Sequence, residues 1–325
     1  MKKFLFFITL VACCIMGAHP RLVPAQPIRI GYLQSDIHQL ACWVALEKGF
    51  YEGEGIQVEV AGIFKAGPEQ MSAFAAGALD AGYVGVAPAT TAVANGVAQV
   101  TVLAQVNTEG SAVVVGKDSP IQCRGPCCAG DLPGNLVAVP GYSTVQDFLL
   151  QKALAKSGIE KSEVPIMVLK PPEMIGALRT GQIAGFIAWE PYPAKARTMD
   201  VGRILVSSRE IWEGHPCCVL AVQNRFLKTR PEDAKALVRA HVKATDFINQ
   251  HPAEALRIGV RYTGMDEQTV ALSMKSVIYT YELSIQGTEE YVRFLSDLRY
   301  IEVANPKAFV DGFINGEFLR EIMNK

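Results

Sequence analysis

The sequence predicts an α/β fold built as two similar lobes, each a mainly parallel sheet with flanking helices. Two observations predict it. Apolar alternation and helical spacing take turns along 28–105, and the same order returns along 136–188. Strands joined through helices run parallel, because the crossover brings the chain back to the end of the sheet where it started. The second observation is an internal echo. Pro68-Glu69 with Met71 and Gly77 parallels Pro172-Glu173 with Met174 and Gly181, at the same Glu-to-Gly spacing. Each copy runs on into a strand and a proline-bearing loop, Ala87-Pro88 in one and Glu190-Pro191 in the other. Helix–glycine–strand units also match by chance; two matching lobes are the other explanation.

The elements follow in order. Residues 28–32 alternate like a half-buried strand and end in polar Gln34-Ser35-Asp36. Residues 40–49 have helical spacing and a glycine stop at Gly49. Residues 57–61 alternate again, and Phe64-Lys65-Ala66-Gly67 forms a loop. Pro68-Glu69 opens a helix that Gly77 closes. Residues 81–87 read as a strand, Pro88-Ala89-Thr90-Thr91 as the start of a helix, and 100–105 as a strand. After Pro120 come a strand at 136–139, a turn and N-cap at Gly141-Tyr142-Ser143-Thr144, and a helix at 145–157. A strand at 166–169, a helix from Pro171 to Gly181 and a strand at 183–188 lead into Trp189-Glu190-Pro191-Tyr192. From about Thr229 the pattern turns helical throughout: 231–250, 252–262, 266–277, 288–297 and 307–324, with charged outer faces. This tail is expected to pack on lobe one. The resulting division is 26–115 for the first part of lobe one, 116–216 for lobe two, and 217–325 for the return strand and helical remainder.

The chain's 325 residues suit two domains, and 50% hydrophobic with 19% charged residues suits a packed core. With 31 basic and 32 acidic residues the net charge is −1, which argues against binding nucleic acid through bulk positive charge. Beyond the first 25 positions no run of 18 apolar residues occurs, so an integral membrane protein is not expected. The start itself, Lys2-Lys3 followed by the apolar stretch 4–17, reads as an export leader over 1–25, with Val23-Pro24-Ala25 before the cleavage point. Leu10-Val11-Ala12-Cys13 also resembles a lipobox, which would leave the protein anchored through a lipidated Cys13. Either way the mature chain is expected in the periplasm or another extracytoplasmic space, where disulfides persist. A local disulfide from Cys123 to Cys127 or Cys128 is expected. Cys217-Cys218 is either a vicinal disulfide, a pair of thiols facing a soft ligand, or two small buried residues.

Open α/β sheets bind ligands outside the carboxyl ends of their strands, so the loops there hold the candidate ligand-binding residues. In lobe one these are Gln34, Ser35, Asp36, His38, Phe64, Lys65, Pro88, Ala89 and Thr90; near the crossing, Asn107, Thr108 and Glu109; in lobe two, Tyr142, Ser143, Thr144, Trp189, Glu190 and Tyr192. Cys217 joins them from the return strand. Thr90 and Ser143-Thr144 stand at expected helix N-termini, which favour an anionic group or serve as plain caps. Trp189, Tyr142 and Phe64 offer flat apolar surface. Asp36 and Glu190 would take an amine or pair with Lys65 or Arg197. Catalytic motifs are missing: there is no G-x-S-x-G, no phosphate-binding glycine loop, and no metal or triad spacing among the histidines. His241 and His251 are expected on the surface of the helical tail, and His215 is the one base beside a cysteine in sequence. No cofactor, metal or catalytic residue is expected.

Ile28-Arg29-Ile30-Gly31-Tyr32, Ala45-Leu46-Glu47-Lys48-Gly49-Phe50-Tyr51, Gly77-Ala78-Leu79-Asp80-Ala81-Gly82 and Trp189-Glu190-Pro191 together resemble the extracytoplasmic solute-binding proteins of ABC importers. The branch is the one handling aliphatic sulfonates, taurine, nitrate and thiamine-pyrimidine precursors, and the resemblance runs from about Ile28 to the C-terminus. It implies a periplasmic binding protein type II fold, a two-strand hinge, and a small sulfonate, carboxylate or heteroaromatic solute trapped as the lobes close. It also implies a membrane permease as partner, with the protein itself a monomer. The chain would cross out near 107–115 and return near 217–223. The cysteines at 123–128 and at 217–218 depart from the family pattern. Two rivals stand beside import: an enzyme related to pyrimidine-precursor synthases, and a ligand-sensing subunit of a membrane receptor.

Overall fold

The computed structural model describes residues 26–324. The leader expected over 1–25, and Cys13 within it, lie outside the described residues. Eleven strands form two separate sheets among the described residues. The first contains β1 (Ile28–Leu33), β2 (Val58–Phe64), β3 (Ala81–Gly85), β4 (Val100–Glu109), β10 (Pro216–Gln223) and β11 (Val277–Tyr279), in the order β11-β4-β10-β3-β1-β2. The second contains β5 (Ser111–Gly116), β6 (Val137–Val139), β7 (Ile166–Val168), β8 (Gly185–Trp189) and β9 (Gly202–Ser207), in the order β7-β6-β8-β5-β9.

The sheets are mixed rather than mainly parallel. β1 runs parallel to β2 and β3, and β6 runs parallel to β7 and β8, as helix-linked strands should. β10 is antiparallel to both β3 and β4, and β5 is antiparallel to both β8 and β9. The reason is the crossing. β4 leaves the first sheet at Glu109, a single residue (Gly110) intervenes, and β5 enters the second sheet at its cleft end. It therefore runs away from the cleft, while β8 runs toward it. β10 repeats this on the way back. Gly110 has a φ of 83° and a Cβ there would lie 2.3 Å from His38 Nε2, so this crossing requires glycine.

The tail is helical with one exception. β11 pairs antiparallel with β4 through Val277, Ile278 and Tyr279. Three residues are too few to carry a periodicity, so the sequence reads there as the end of a helix. The helices Pro231–Gln250 and Pro252–Thr263 pack on the helix Leu40–Glu47, placing the tail on the first lobe. His241 is fully buried there, with Nε2 2.7 Å from the Gln105 carbonyl, which corrects the surface expectation. It occupies the apolar face of its helix, between Leu237 and Thr245, both buried. Cys123 is joined to Cys128, leaving Cys127 as the free thiol of that loop.

Candidate functional site

The two lobes meet over a small cavity of about 20 Å³, room for roughly one water-sized guest. A larger solute enters only if the lobes part. The floor comes from the first lobe. β1 ends at Leu33, and the short 3-10 turn Ile37–Gln39 places Asp36 and His38 beneath the cavity. The Asp36 carboxylate caps that turn by accepting from the His38 backbone N–H at 3.0 Å. β10 adds Cys217 and Cys218 to the floor. Gly85, where β3 ends, and Pro88 form one side. The roof comes from the second lobe: Thr144, Val145 and Gln146 at the start of the helix Val145–Lys156, and Trp189 at the end of β8.

Five side chains converge on the floor: Asp36, His38, Gln39, Cys217 and Cys218. His38 Nδ1 lies 3.4 Å from Cys217 Sγ, 3.8 Å from Cys218 Sγ and 3.5 Å from Asp36 Oδ1. His38 Nε2 lies 2.8 Å from the Gly110 carbonyl, which can only accept, so Nε2 carries a hydrogen. Gln39 Nε2 donates to Asp36 Oδ2 at 2.9 Å and to Cys218 Sγ at 3.5 Å. All five residues are buried. Burial alone would depress the imidazole; the Asp36 carboxylate, with help from Cys218 and the Gly110 carbonyl, instead holds it up at about 9. The bond with Cys217, and then burial, keep the Cys218 thiol well above its ordinary range. The base nearest Cys217 is thus His38 and not its sequence neighbour His215, whose Nδ1 sits 3.2 Å from the Pro216 carbonyl.

Neighbouring residues of a regular strand point to opposite faces. Cys217 and Cys218 escape this through a register irregularity. Pro216 pairs with Thr108 and Cys218 with Asn107, so Cys217 is an extra residue opposite β4. Such a bulge re-aims a side chain. Asn107 locks it: its Oδ1 accepts from the Cys218 backbone N–H at 3.1 Å, and its Nδ2 donates to the Glu109 carbonyl at 3.2 Å.

Of the sequence candidates, Asp36, His38, Pro88, Thr144, Trp189 and Cys217 border the cavity. Others do not. Gln34 and Lys65 are exposed, and Tyr142 is half-exposed beneath the Lys161 ammonium. Ser35 Oγ donates to the Thr263 carbonyl. Phe64 packs against Gly31 and Gly62. Thr90 is not at a helix N-terminus: the helix Val86–Ala94 begins four residues earlier, and Thr90 and Ala89 are buried within it. Val86-Ala87 looks like continued strand in the sequence, which is why the start was displaced. Thr144 is an N-cap as expected, accepting from the Asp147 N–H, while the Ser143 N–H donates to the Asp147 carboxylate. Glu109 accepts from the Gly214 N–H across the hinge. Glu190 and Tyr192 are buried beside Trp189, and burial lifts the Glu190 carboxyl to about 7 against the Ala194 N–H it accepts. Sequence reasoning missed Gly85, Val145 and Gln146 as wall residues; Cys218, offered only as one of three readings of the cysteine pair, also borders the cavity. Val145 and Gln146 are one and two places past the N-cap, so helix numbering was the available signal.

Residues 23–259 match the model of the NMT1-like family. A relative from Brucella abortus, which carries only the provisional description of a binding protein, is 26% identical over 77% of this chain and 76% of its own length. Two solved structures share the fold. The ligand-binding component of an ABC-type import system from Staphylococcus aureus, solved with zinc bound, is 18% identical, covers 91% of this chain and 98% of its own, and superposes with a TM-score of 0.78. The periplasmic nitrate-binding protein NrtA from Synechocystis is 18% identical, covers 92% of this chain and 88% of its own, and gives a TM-score of 0.79. No helix among the described residues is long and apolar enough to cross a membrane. With two mixed sheets on a double crossing and a family match over most of its length, the chain belongs to the NMT1-like family and has the two-lobed fold of periplasmic binding proteins.

Proposed function

We propose that this protein is the solute-binding component of an ABC importer, working outside the cytoplasm and handing its cargo to a membrane permease. The observation that carries this reading is the cavity: its floor and roof belong to different lobes, joined by crossings at Gly110 and at 208–215, so relative motion of the lobes opens and shuts it. Closure takes the solute out of water, and the solute's greater affinity for the closed form drives the shift. Site residues in this reading are Asp36, His38, Cys217 and Cys218 from lobe one and Thr144, Gln146 and Trp189 from lobe two.

Binding without turnover fits the floor better than catalysis. Asp36 and both thiols face the same nitrogen of His38, and its other nitrogen is spent on a backbone carbonyl. A nucleophile–base–carboxylate relay needs the carboxylate on the far nitrogen. Calorimetry against a panel of sulfonates, nitrate, carboxylates and metal cations, followed by mass spectrometry of the recovered solute, tests the reading. One class binding one-to-one and recovered unchanged supports it. A recovered solute that has been transformed, or a panel in which nothing binds, overturns it.

A further inference from the structure

We propose that the solute is a soft, thiophilic metal cation, held by His38 Nδ1, Cys217 Sγ and Cys218 Sγ on the floor of the cleft; this rests on the reading of that cleft as the solute site. The three donor atoms lie within 4.8 Å of one another and all three residues are buried. Zinc-like bonds of about 2.3 Å to sulfur and 2.0–2.1 Å to nitrogen set a tetrahedral sulfur–nitrogen edge of roughly 3.6 Å. The observed separations of 3.4 and 3.8 Å bracket it. The donors need little rearrangement to take up the ion.

Three further features fit a cation of this class. The first is orientation. The Gly110 carbonyl holds the hydrogen on Nε2, so the Nδ1 lone pair turns toward the thiols once its own proton leaves, the usual outer-shell arrangement of a ligating histidine. The second is the bulge at Cys217. A regular strand would send one thiol to the opposite face, whereas the irregular pairing lets both approach one nitrogen. The third is charge and size. The cavity wall contains the Asp36 carboxylate and no lysine or arginine; its one basic side chain is His38, whose Nδ1 already faces Asp36 Oδ1 at 3.5 Å, so a free anion finds no unpaired cation there. A volume of about 20 Å³ suits a single ion. The starts of the helices Val86–Ala94 and Val145–Lys156 border the remaining side and suit a small anionic co-ligand, such as hydroxide, on the open position. Two thiolates and one imidazole select soft ions such as Cu(I) and Zn(II) over Mg(II). Binding releases the thiol protons, and the three ligands become Cys217 thiolate, Cys218 thiolate and neutral His38.

The test is a titration of the reduced full-length protein, under nitrogen, with Zn(II), Cu(I) and Mg(II), using a competing chromophoric chelator, beside calorimetry with taurine and nitrate. Expected are one Zn(II) or Cu(I) per chain, no Mg(II), and X-ray absorption showing two sulfur neighbours and one nitrogen neighbour. Cys217→Ser and Cys218→Ser, each with its melting temperature checked, should weaken binding at least ~100-fold, since even outer-shell changes weaken metal sites by ~10–100-fold. Absence of one-to-one soft-metal binding, or an absorption spectrum of the unsubstituted protein without sulfur neighbours, overturns the proposal. If taurine or nitrate binds one-to-one while the metals do not, this proposal fails and the solute-binding reading stands. If the metal binds at sulfur but scattering shows no lobe movement in any state, the metal site stands and the import reading fails.

Discussion

Glu190 is a carboxyl that the fold keeps protonated up to about pH 7. It stands at the end of β8, fully buried, with Oε2 accepting from the Ala194 N–H at 3.0 Å and its carbonyl accepting from the Ile37 N–H of the other lobe at 3.2 Å. Burial raises its pKa from 4.5 to about 7, against the opposing pull of the Ala194 N–H and the charges of His38 and Arg197. Tyr279 faces it as well. The folded chain holds this proton more tightly than the unfolded chain. The contribution to stability is therefore complete below pH 4.5 and is lost as pH rises through 7. Between pH 5.5 and 8 this one group withdraws about 2 kcal/mol. Glu190→Gln keeps the acceptor for Ala194 and cannot ionise. Urea unfolding of both proteins across this range should show the variant gaining about 2 kcal/mol on the native protein from pH 5.5 to 8. Other titrating groups cancel in the difference. Two parallel profiles would refute the reasoning.

In Gly85→Ala the new Cβ lies 3.2 Å from Val145 Cγ2 across the cleft and 3.2 Å from Pro88 Cδ in its own lobe; overpacking of about 1–3 kcal/mol is then divided between the two, the Val145 part falling on the closed form alone, so calorimetry should show solute affinity weakened by up to roughly tenfold and urea unfolding a smaller loss of stability. Burial holds His241 down at about 4, below its ordinary 6.5. The unfolded chain then takes up this proton first, and stability falls by about 3 kcal/mol as pH drops from 6.5 to 4, a loss that His241→Asn should abolish in acid-unfolding curves. Replacing Cys123 and Cys128 together by serine opens a loop of sequence separation 5 and should lower the unfolding free energy by about 2 kcal/mol in urea titration.

Legibility in the sequence followed distance along the chain. β1, the helix Pro231–Gln250 and the N-cap at Thr144 were readable because each is set by neighbours within a few positions. Strand direction was not. Nothing in the apolar run of β10 says that it arrives from the other lobe and so runs antiparallel to β3. The thiol–imidazole cluster was half legible: Cys217 and His38 were both named, but 179 positions separate them and only the fold brings them to 3.4 Å. That Cys218 joins Cys217 beside one nitrogen was open in the sequence among three readings of the pair, and the bulge that decides it is a property of the β4–β10 pairing. Exposed candidates such as Lys65 and Tyr142 were named for their chemistry, and loop position alone could not say which way they turn.

The central claim is that two lobes shut around a guest held over the His38 floor. Small-angle X-ray scattering of the reduced protein, before and after one equivalent of Zn(II) or Cu(I), tests it most directly. The account predicts an expanded curve without solute that contracts on loading to the profile calculated from the closed structure. Identical curves, with the ion demonstrably bound, would contradict it.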